Sequence, residues 1–233
     1  MTRNTIEFCV YGKYALFSDP LTKTGGEKFT YSIPTYEALK GIAESIYWKP
    51  TFRWVIDDVR IMNPIEMYPR TTRPIDYNDS AAADLTVATY LTMVKYHVRA
   101  HFEWNMLRED LAADRNENKH LEMAKRFVAK GGRRDIFLGT RECQGYVEPC
   151  RFEDGNGYYD AMSRSFGIME HGITYPDNYG PMKIRLWSPI MRNGVIHFIR
   201  PEECQIVKPL HKMATKQFHL GKNVYPVEQE DTI

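Results

Sequence analysis

Hydrophobic and polar positions alternate from Thr5 to Leu16, with Ile6, Phe8, Val10 and Tyr14 on one side and Glu7, Cys9, Tyr11 and Lys13 on the other. That two-residue period predicts a half-buried strand. A polar stretch with Gly25 and Gly26 follows, and beyond Pro34 the residues Leu39, Ile42, Ala43 and Ile46 recur at helical spacing. Thr35 can cap this helix, which is expected to end near Trp48, before Pro50. Phe52 to Met62 is rich in β-branched and aromatic residues and predicts a strand stopped by Asn63-Pro64. From Pro64 to Asp84 the chain is polar and broken by Pro69 and Pro74, so a long excursion is expected there rather than a packed element.

The clearest alternation runs from Tyr90 to Trp104. Tyr90, Val94, Tyr96, Val98, Ala100, Phe102 and Trp104 face one way, and Lys95, His97, Arg99, His101 and Glu103 face the other. One face is expected to pack and the other to meet solvent or ligand. Leu121, Ala124, Phe127 and Val128 make a short helical stripe between about Lys119 and Lys130, stopped by Gly131-Gly132. Ile136 to Leu138 and Gly145 to Phe152 are candidate closing strands. The order β-α-β-β-α-β predicts an α+β fold with a ferredoxin-like or RRM-like (βαββαβ) N-terminal domain over residues 1–155. Met182 to Met191 and Val195 to Ile199 flank Asn193-Gly194, a two-residue hairpin signal, and Cys204 to Val207 reads as a further strand. Residues 156–233 are therefore expected to form a small antiparallel β-sheet domain.

With 233 residues, 43% of them hydrophobic and 26% charged, the chain can bury a core and falls outside the disordered class. No apolar run is long enough to cross a membrane, and Met1 to Val10 lacks the pattern of a secretory leader. Four cysteines, Cys9, Cys143, Cys150 and Cys204, include no C-x-x-C pair and give no disulfide framework, so a cytoplasmic location is expected. The formal net charge of +1 decides nothing about partners. Local charge says more. Lys119 to Arg134 holds Lys119, Lys125, Arg126, Lys130, Arg133 and Arg134 against the single acid Glu122, and Gln205 to Lys222 is basic without an acid. Acids collect at Glu228, Glu230 and Asp231. Such stretches fit a polyanion-binding face, or two solvated faces.

Scans for phosphate-binding, zinc-protease, serine-hydrolase and RRM motifs are empty. His97 and His101, two steps apart on one strand face, could in principle bind a metal, but Arg99 between them favours a polar or RNA-facing surface. Cys143 and Cys150 read as small apolar residues. Lys119-His120 opens the second helix, with Asn118 as candidate cap, where unpaired backbone N–H groups favour a phosphate. A lysine can balance charge on a phosphorane and a histidine can move a proton near neutral pH. Tyr47 falls about 80° from the centre of the first helix's stripe, so its ring is expected at the rim with its hydroxyl available.

The segments Glu7 to Pro20, Gly25 to Pro50, Arg53 to Ile65 and Phe137 to Cys150, with Lys119-His120, resemble the fifth CRISPR-associated protein family, subtype d, of type I-C systems. The resemblance implies a metal-independent endoribonuclease, without cofactor, that cuts CRISPR precursor RNA within the repeat stem-loop. It implies that Tyr47, Lys119 and His120 are catalytic. It also implies that the protein stays on the crRNA 5′ handle beside the backbone and large subunits of the effector complex. The attacking group is then the RNA's own 2′-OH, leaving a 2′,3′-cyclic phosphate and a 5′-OH. Lys125, Arg126, Lys130, Arg133 and Arg134 suit phosphate contacts, with Gly131 and Gly132 letting the backbone approach. The alternatives are a non-catalytic subunit that only holds the 5′ handle, and a metal-dependent nuclease. The latter needs clustered carboxylates, and the adjacent pair Asp57-Asp58 is expected to point to opposite faces of its strand.

Overall fold

The computed structural model describes residues 4–22, 27–73, 85–176 and 179–214. In chain order these form β1 (Thr5–Ala15), β2 (Lys28–Phe29), α1 (Tyr36–Ile46), β3 (Phe52–Ile61), β4 (Met67–Thr72) and β5 (Thr86–Trp104). A 3-10 turn (Glu109–Asp114), α2 (Glu117–Ala129), β6 (Ile136–Phe137) and β7 (Gln144–Pro149) follow. Then come β8 (Ser163–Ser165), β9 (Met169–Thr174), β10 (Tyr179–Trp187), β11 (Ile190–Arg192), β12 (Val195–His197) and β13 (Ile206–Ala214).

The protein is a mixed α/β structure dominated by antiparallel sheet. Its larger sheet runs β6-β7-β1-β5-β3-β12-β11-β8, with β2 and β4 also paired to β5, and β13-β10-β9 form a second sheet. α1 packs on β3, and α2 packs on β7 and β1. Thr35 accepts a hydrogen bond from the Ala38 amide at the start of α1, and Leu39, Ile42, Ala43 and Ile46 are buried as the stripe predicts. Each such leucine or isoleucine side chain contributes roughly 1.5–3 kcal/mol by leaving water. The core continues through Phe8, Val10, Trp54, Val98, Ala100 and Phe102.

Several expectations change in the folded chain. The excursion after Pro64 contains β4, which pairs along the first part of β5; residues 74–84 lie outside the description. The single strand expected from Met182 to Met191 is split: β10 joins the second sheet and β11 the first, with Ser188-Pro189 between them. Proline cannot donate to a ladder, which fits the break there. Asn193 and Gly194 both take positive φ, 50° and 76°, as a two-residue type I′ turn joining β11 to β12 requires. Beyond residue 155, β8, β11 and β12 extend the larger sheet while β9, β10 and β13 make the smaller one. Of the basic run Gln205 to Lys222, Lys208, His211 and Lys212 are exposed on β13; the part from residue 215 on, with Glu228, Glu230 and Asp231, lies outside the described residues, as do Gly25 and Gly26.

The two histidines on the polar face of β5 are buried, while Lys95 and Arg99 are half-buried and Glu103 is exposed. His97 is 4% exposed, with Nδ1 3.2 Å from the Phe152 carbonyl oxygen, and His101 is 6% exposed, with Nδ1 2.9 Å from the Asp57 carboxylate. Phe152 covers this face, and the Arg99 guanidinium lies 4.2 Å from its ring centre. The expectation about Asp57-Asp58 is corrected too. The β3–β5 register shifts between Ile56 and Asp58, so Asp57 is an extra residue in a bulge. Both carboxylates then reach the His/Arg face, Asp57 to His101 and Asp58 to Arg99 at 3.1 Å and to His197. Each is engaged by its own partners, and among the described residues no group of three or more His, Cys, Asp or Glu is arranged to hold a metal ion.

All four cysteines are free, and burial pushes the Cys9 thiol up to about 11 and the Cys150 thiol up to about 12. No helix among the described residues is long and apolar enough to cross a membrane. Gly139 holds the turn between β6 and β7 at φ 95°, where an added Cβ would overlap the Leu16 carbonyl oxygen. Gly139→Ala is expected to lose at least about 3 kcal/mol, combining left-handed strain with backbone overlap, and so about 6–12 °C in melting temperature. A thermal melt unchanged by the substitution would contradict this packing.

Candidate functional site

Tyr47 is not a rim residue. α1 ends at Ile46, and Tyr47 is its C-cap, with extended backbone (φ −159°, ψ 127°). The helical period therefore does not set its direction, and the ring turns inward until none of it is exposed. Its carbonyl oxygen accepts from Trp54 Nε1 at 2.7 Å, and its ring stacks on Phe127 and packs against Phe52. The hydroxyl oxygen lies 2.8 Å from His120 Nδ1 and 3.4 Å from Met123 Sδ.

α2 also starts earlier than expected. Asn116, not Asn118, is the cap, its side chain accepting from the Lys119 amide at 3.1 Å, and its carbonyl accepts from the His120 amide at 3.1 Å. Lys119 and His120 thus occupy the third and fourth helical positions, and neither of their amides is left over for a phosphate. His120 falls on the buried stripe with Ala124 and Val128, four and eight residues on. Its ring is fully enclosed by Phe52, Phe102 and Trp104.

One residue that the sequence did not single out organises this site. Asp114, at the end of the 3-10 turn, accepts from Lys119 Nζ through one carboxylate oxygen and from Thr51 Oγ1 at 2.8 Å through the other. Its backbone carbonyl lies 2.8 Å from His120 Nε2. A carbonyl only accepts, so Nε2 carries a proton in this arrangement, and the Tyr47 hydroxyl can donate to Nδ1 when that nitrogen is bare. The hydrogen bond from Lys119, and next that from Thr51, hold the Asp114 carboxyl below its usual range. Burial raises the Tyr47 phenol above its ordinary value, with the Asp114 charge adding to it. Three side chains from two stretches of chain, Tyr47 and the adjacent Lys119 and His120, therefore come together, with Asp114 bonded to the latter two. The only sequence signal for Asp114 is its place just before the capping asparagine; Thr51 gave none.

The basic residues are distributed as a face. Lys125, Arg126, Lys130, Arg133 and Arg134 are exposed along α2 and the loop that follows, and Lys119 stands about 16 Å along the same helix from Lys130. Lys125 pairs with Glu122 at 2.9 Å. Gly131 and Gly132 have a structural duty beside any approach to a ligand. The turn they make sends the Arg133 and Arg134 amides to the free carbonyls of Ser45 and Ile46, tying the end of α1 to the end of α2.

The sequence model of the CRISPR-associated protein (Cas_Cas5) family, in its Cas5d form, matches residues 5–199. The chain belongs to this family. It is 32% identical over 224 residues to a Mannheimia succiniciproducens protein named CRISPR pre-crRNA endoribonuclease Cas5d, a match covering 83% of this chain and 94% of that protein. A Thermus thermophilus protein of the same name is 28% identical over 190 residues, covering 77% and 78% of the two chains. Among solved structures, a crystal structure of a CRISPR-associated protein superposes with TM-score 0.73 at 36% identity, covering 88% of this Cas5d chain and 96% of that one. A Streptococcus mutans protein described as functionally uncharacterized gives TM-score 0.71 at 39% identity with the same coverage.

Proposed function

We propose that this Cas5d chain is an endoribonuclease that cuts CRISPR precursor RNA, the activity for which two relatives are named, and that it cuts within the repeat stem-loop. The observation that carries the reading is the 2.8 Å contact between the Tyr47 hydroxyl and His120 Nδ1, with Lys119 held on the same aspartate that receives Nε2. The substrate supplies the nucleophile. Its 2′-OH loses a proton, a bond forms from the 2′ oxygen to phosphorus, the bond to the 5′ oxygen breaks, and that oxygen takes up a proton. The products are a 2′,3′-cyclic phosphate and a 5′-OH, and no step requires a metal.

Within this reading His120 Nε2, on the side of Asp114 and Lys119, is bare when RNA is bound, with the ring proton on Nδ1; it takes the 2′-OH proton and gives it to the departing 5′ oxygen, and Tyr47 acts from behind the ring. With Nδ1 bare the phenol donates to it; with Nδ1 protonated the phenol accepts and turns its own proton to Met123 Sδ. The buried imidazole can therefore carry one proton or two without an unsatisfied neighbour. The raised phenol favours this supporting role over that of a free base. Lys119 stabilises the phosphorane charge.

The element order β1-α1-β3-β5-α2-β7, with sheet order β7-β1-β5-β3, supports the ferredoxin-like βαββαβ reading. All the site residues precede residue 155, the division kept here between a catalytic RNA-binding part and a β-sheet part. After cutting, the protein remains on the crRNA 5′ handle in the cytoplasm, as a subunit of the type I-C effector complex beside its backbone and large subunits. One observation favours the second reading, a non-catalytic holder of the 5′ handle: neither Tyr47 nor His120 is exposed. Incubating a labelled repeat hairpin with the protein separates the two, because only the enzyme yields discrete fragments.

The basic face is tested through salt. Each phosphate contact adds about 0.7–0.9 to the slope of log affinity against log salt. Replacing Arg126, Arg133 and Arg134 together with alanine is expected to flatten the slope by about 2 and weaken hairpin binding. An unchanged slope would remove these residues from the interface.

A further inference from the structure

Three donors converge on a single carboxylate in this structure. Lys119 Nζ and Thr51 Oγ1 each bond one oxygen of Asp114, and His120 Nε2 lies 3.4 Å from the second oxygen as well as 2.8 Å from the backbone carbonyl. Thr51 is 1% exposed, so its hydroxyl faces a partner supplied by Asp114 rather than water. A cation, a hydroxyl and an imidazole N–H aimed at one pair of oxygens form a built oxyanion site, here filled by the chain's own side chain.

We propose that this is the subsite of the scissile phosphate, that Thr51 is a further phosphate-binding residue, and that Asp114 occupies the place of the phosphate until RNA displaces it. The proposal deepens the endoribonuclease reading and rests on it. It also resolves the burial of His120. The imidazole is sealed on its Nε2 side by Asp114, and the 3-10 turn Glu109–Asp114 that carries Asp114 has no buried residue of its own. Moving that turn aside withdraws no buried side chain of its own, frees Lys119 Nζ from Asp114 and uncovers the Thr51 hydroxyl and Nε2 at once. In the occupied site two non-bridging phosphate oxygens take Lys119 and Thr51, which leaves Nε2 facing an ester oxygen, where protons move.

Asp114 is thus a competitor of the substrate, and removing its carboxylate is expected to help binding. A repeat hairpin with a 2′-deoxy nucleotide just 5′ of the cleavage site serves as the binding probe, and the all-ribose hairpin reports turnover. Asp114→Ala retains the backbone carbonyl and is expected to bind the deoxy probe about 3- to 10-fold more tightly, with a salt slope steeper by about one contact. Thr51→Val is expected to lower kcat at least about 10-fold, and Thr51→Ser, which restores the hydroxyl, to recover most of it. A melt of each variant confirms that it is folded.

Weaker probe binding by Asp114→Ala with an unchanged salt slope overturns the proposal, since it marks Asp114 as a support for the site rather than its occupant. Equal kcat for Thr51→Val and the wild type, or an equal loss for Thr51→Ser and Thr51→Val, overturns the role of Thr51. Should the wild type fail to cut the all-ribose hairpin, the endoribonuclease reading fails instead, and the binding arm alone decides whether Asp114 fills an anion site.

Discussion

His120→Ala is expected to slow cleavage of the repeat hairpin by about 10³-fold or more while leaving hairpin affinity within about threefold of wild type. General acid–base groups contribute roughly 10²–10⁴ in rate, and in this account one imidazole serves both proton transfers, which puts the loss in the upper part of that range. Affinity is spared because the imidazole offers the bound RNA only one ester-oxygen contact, while the exposed basic face is untouched by the substitution. The loss is chemical rather than structural provided the fold survives removal of a ring packed among Phe52, Phe102 and Trp104. His120→Gln, which fills more of the volume and can still bond Tyr47, is the control. Tyr47→Phe separates the two roles: it keeps the ring stacked on Phe127 and deletes only the hydroxyl. Its expected loss is about 10- to 100-fold, smaller than that of His120→Ala, because the phenol acts through the imidazole. Single-turnover rates with saturating protein measure both. A larger loss for Tyr47→Phe than for His120→Ala would reverse the proposed order.

A 2′-deoxy nucleotide immediately 5′ of the scissile phosphate is expected to abolish cleavage at that site, beyond about 10⁴-fold, with binding retained. The protein supplies no nucleophile in this account, so without the 2′-OH there is no attacking atom for His120 to activate. The effect is larger than that of any single side chain, since residual positioning and charge stabilisation still assist a substrate that has its own hydroxyl. End analysis of the ribose substrate is expected to give a 2′,3′-cyclic phosphate on the upstream fragment and a 5′-OH on the downstream one. Cutting of the deoxy hairpin at the same position would mean that water is the nucleophile.

Much of the frame is legible in local pattern. Thr35 and the Leu39–Ile46 stripe identify α1, and Asn193-Gly194 identifies its hairpin, because each depends on residues within a turn or two of one another. The site is less legible for the same reason. Whether Tyr47 lies at a rim or in the core depends on α1 stopping one residue before it, and that end is fixed from afar by the Arg133 and Arg134 amides. His120 precedes Ala124 and Val128 by four and eight residues and so lies on the buried stripe of α2, a membership that periodicity counted from Leu121 did not include. His97 and His101 alternate as surface residues do, yet the segment around Phe152 comes from more than fifty residues away to cover His97. The Asp57-Asp58 bulge breaks the two-residue rule that placed these carboxylates on opposite faces. In each case a local rule holds until a distant segment supplies the partner.

The most direct test of the catalytic assignment uses one substrate and two proteins. A labelled all-ribose repeat hairpin is incubated in excess chelator with the wild type and with the triple variant Tyr47→Phe/Lys119→Ala/His120→Ala. The account predicts a single specific cut by the wild type, undiminished by the chelator, and intact RNA that is still bound by the variant. Cutting by the variant at the wild-type rate, or a wild type silenced by chelation, would contradict it.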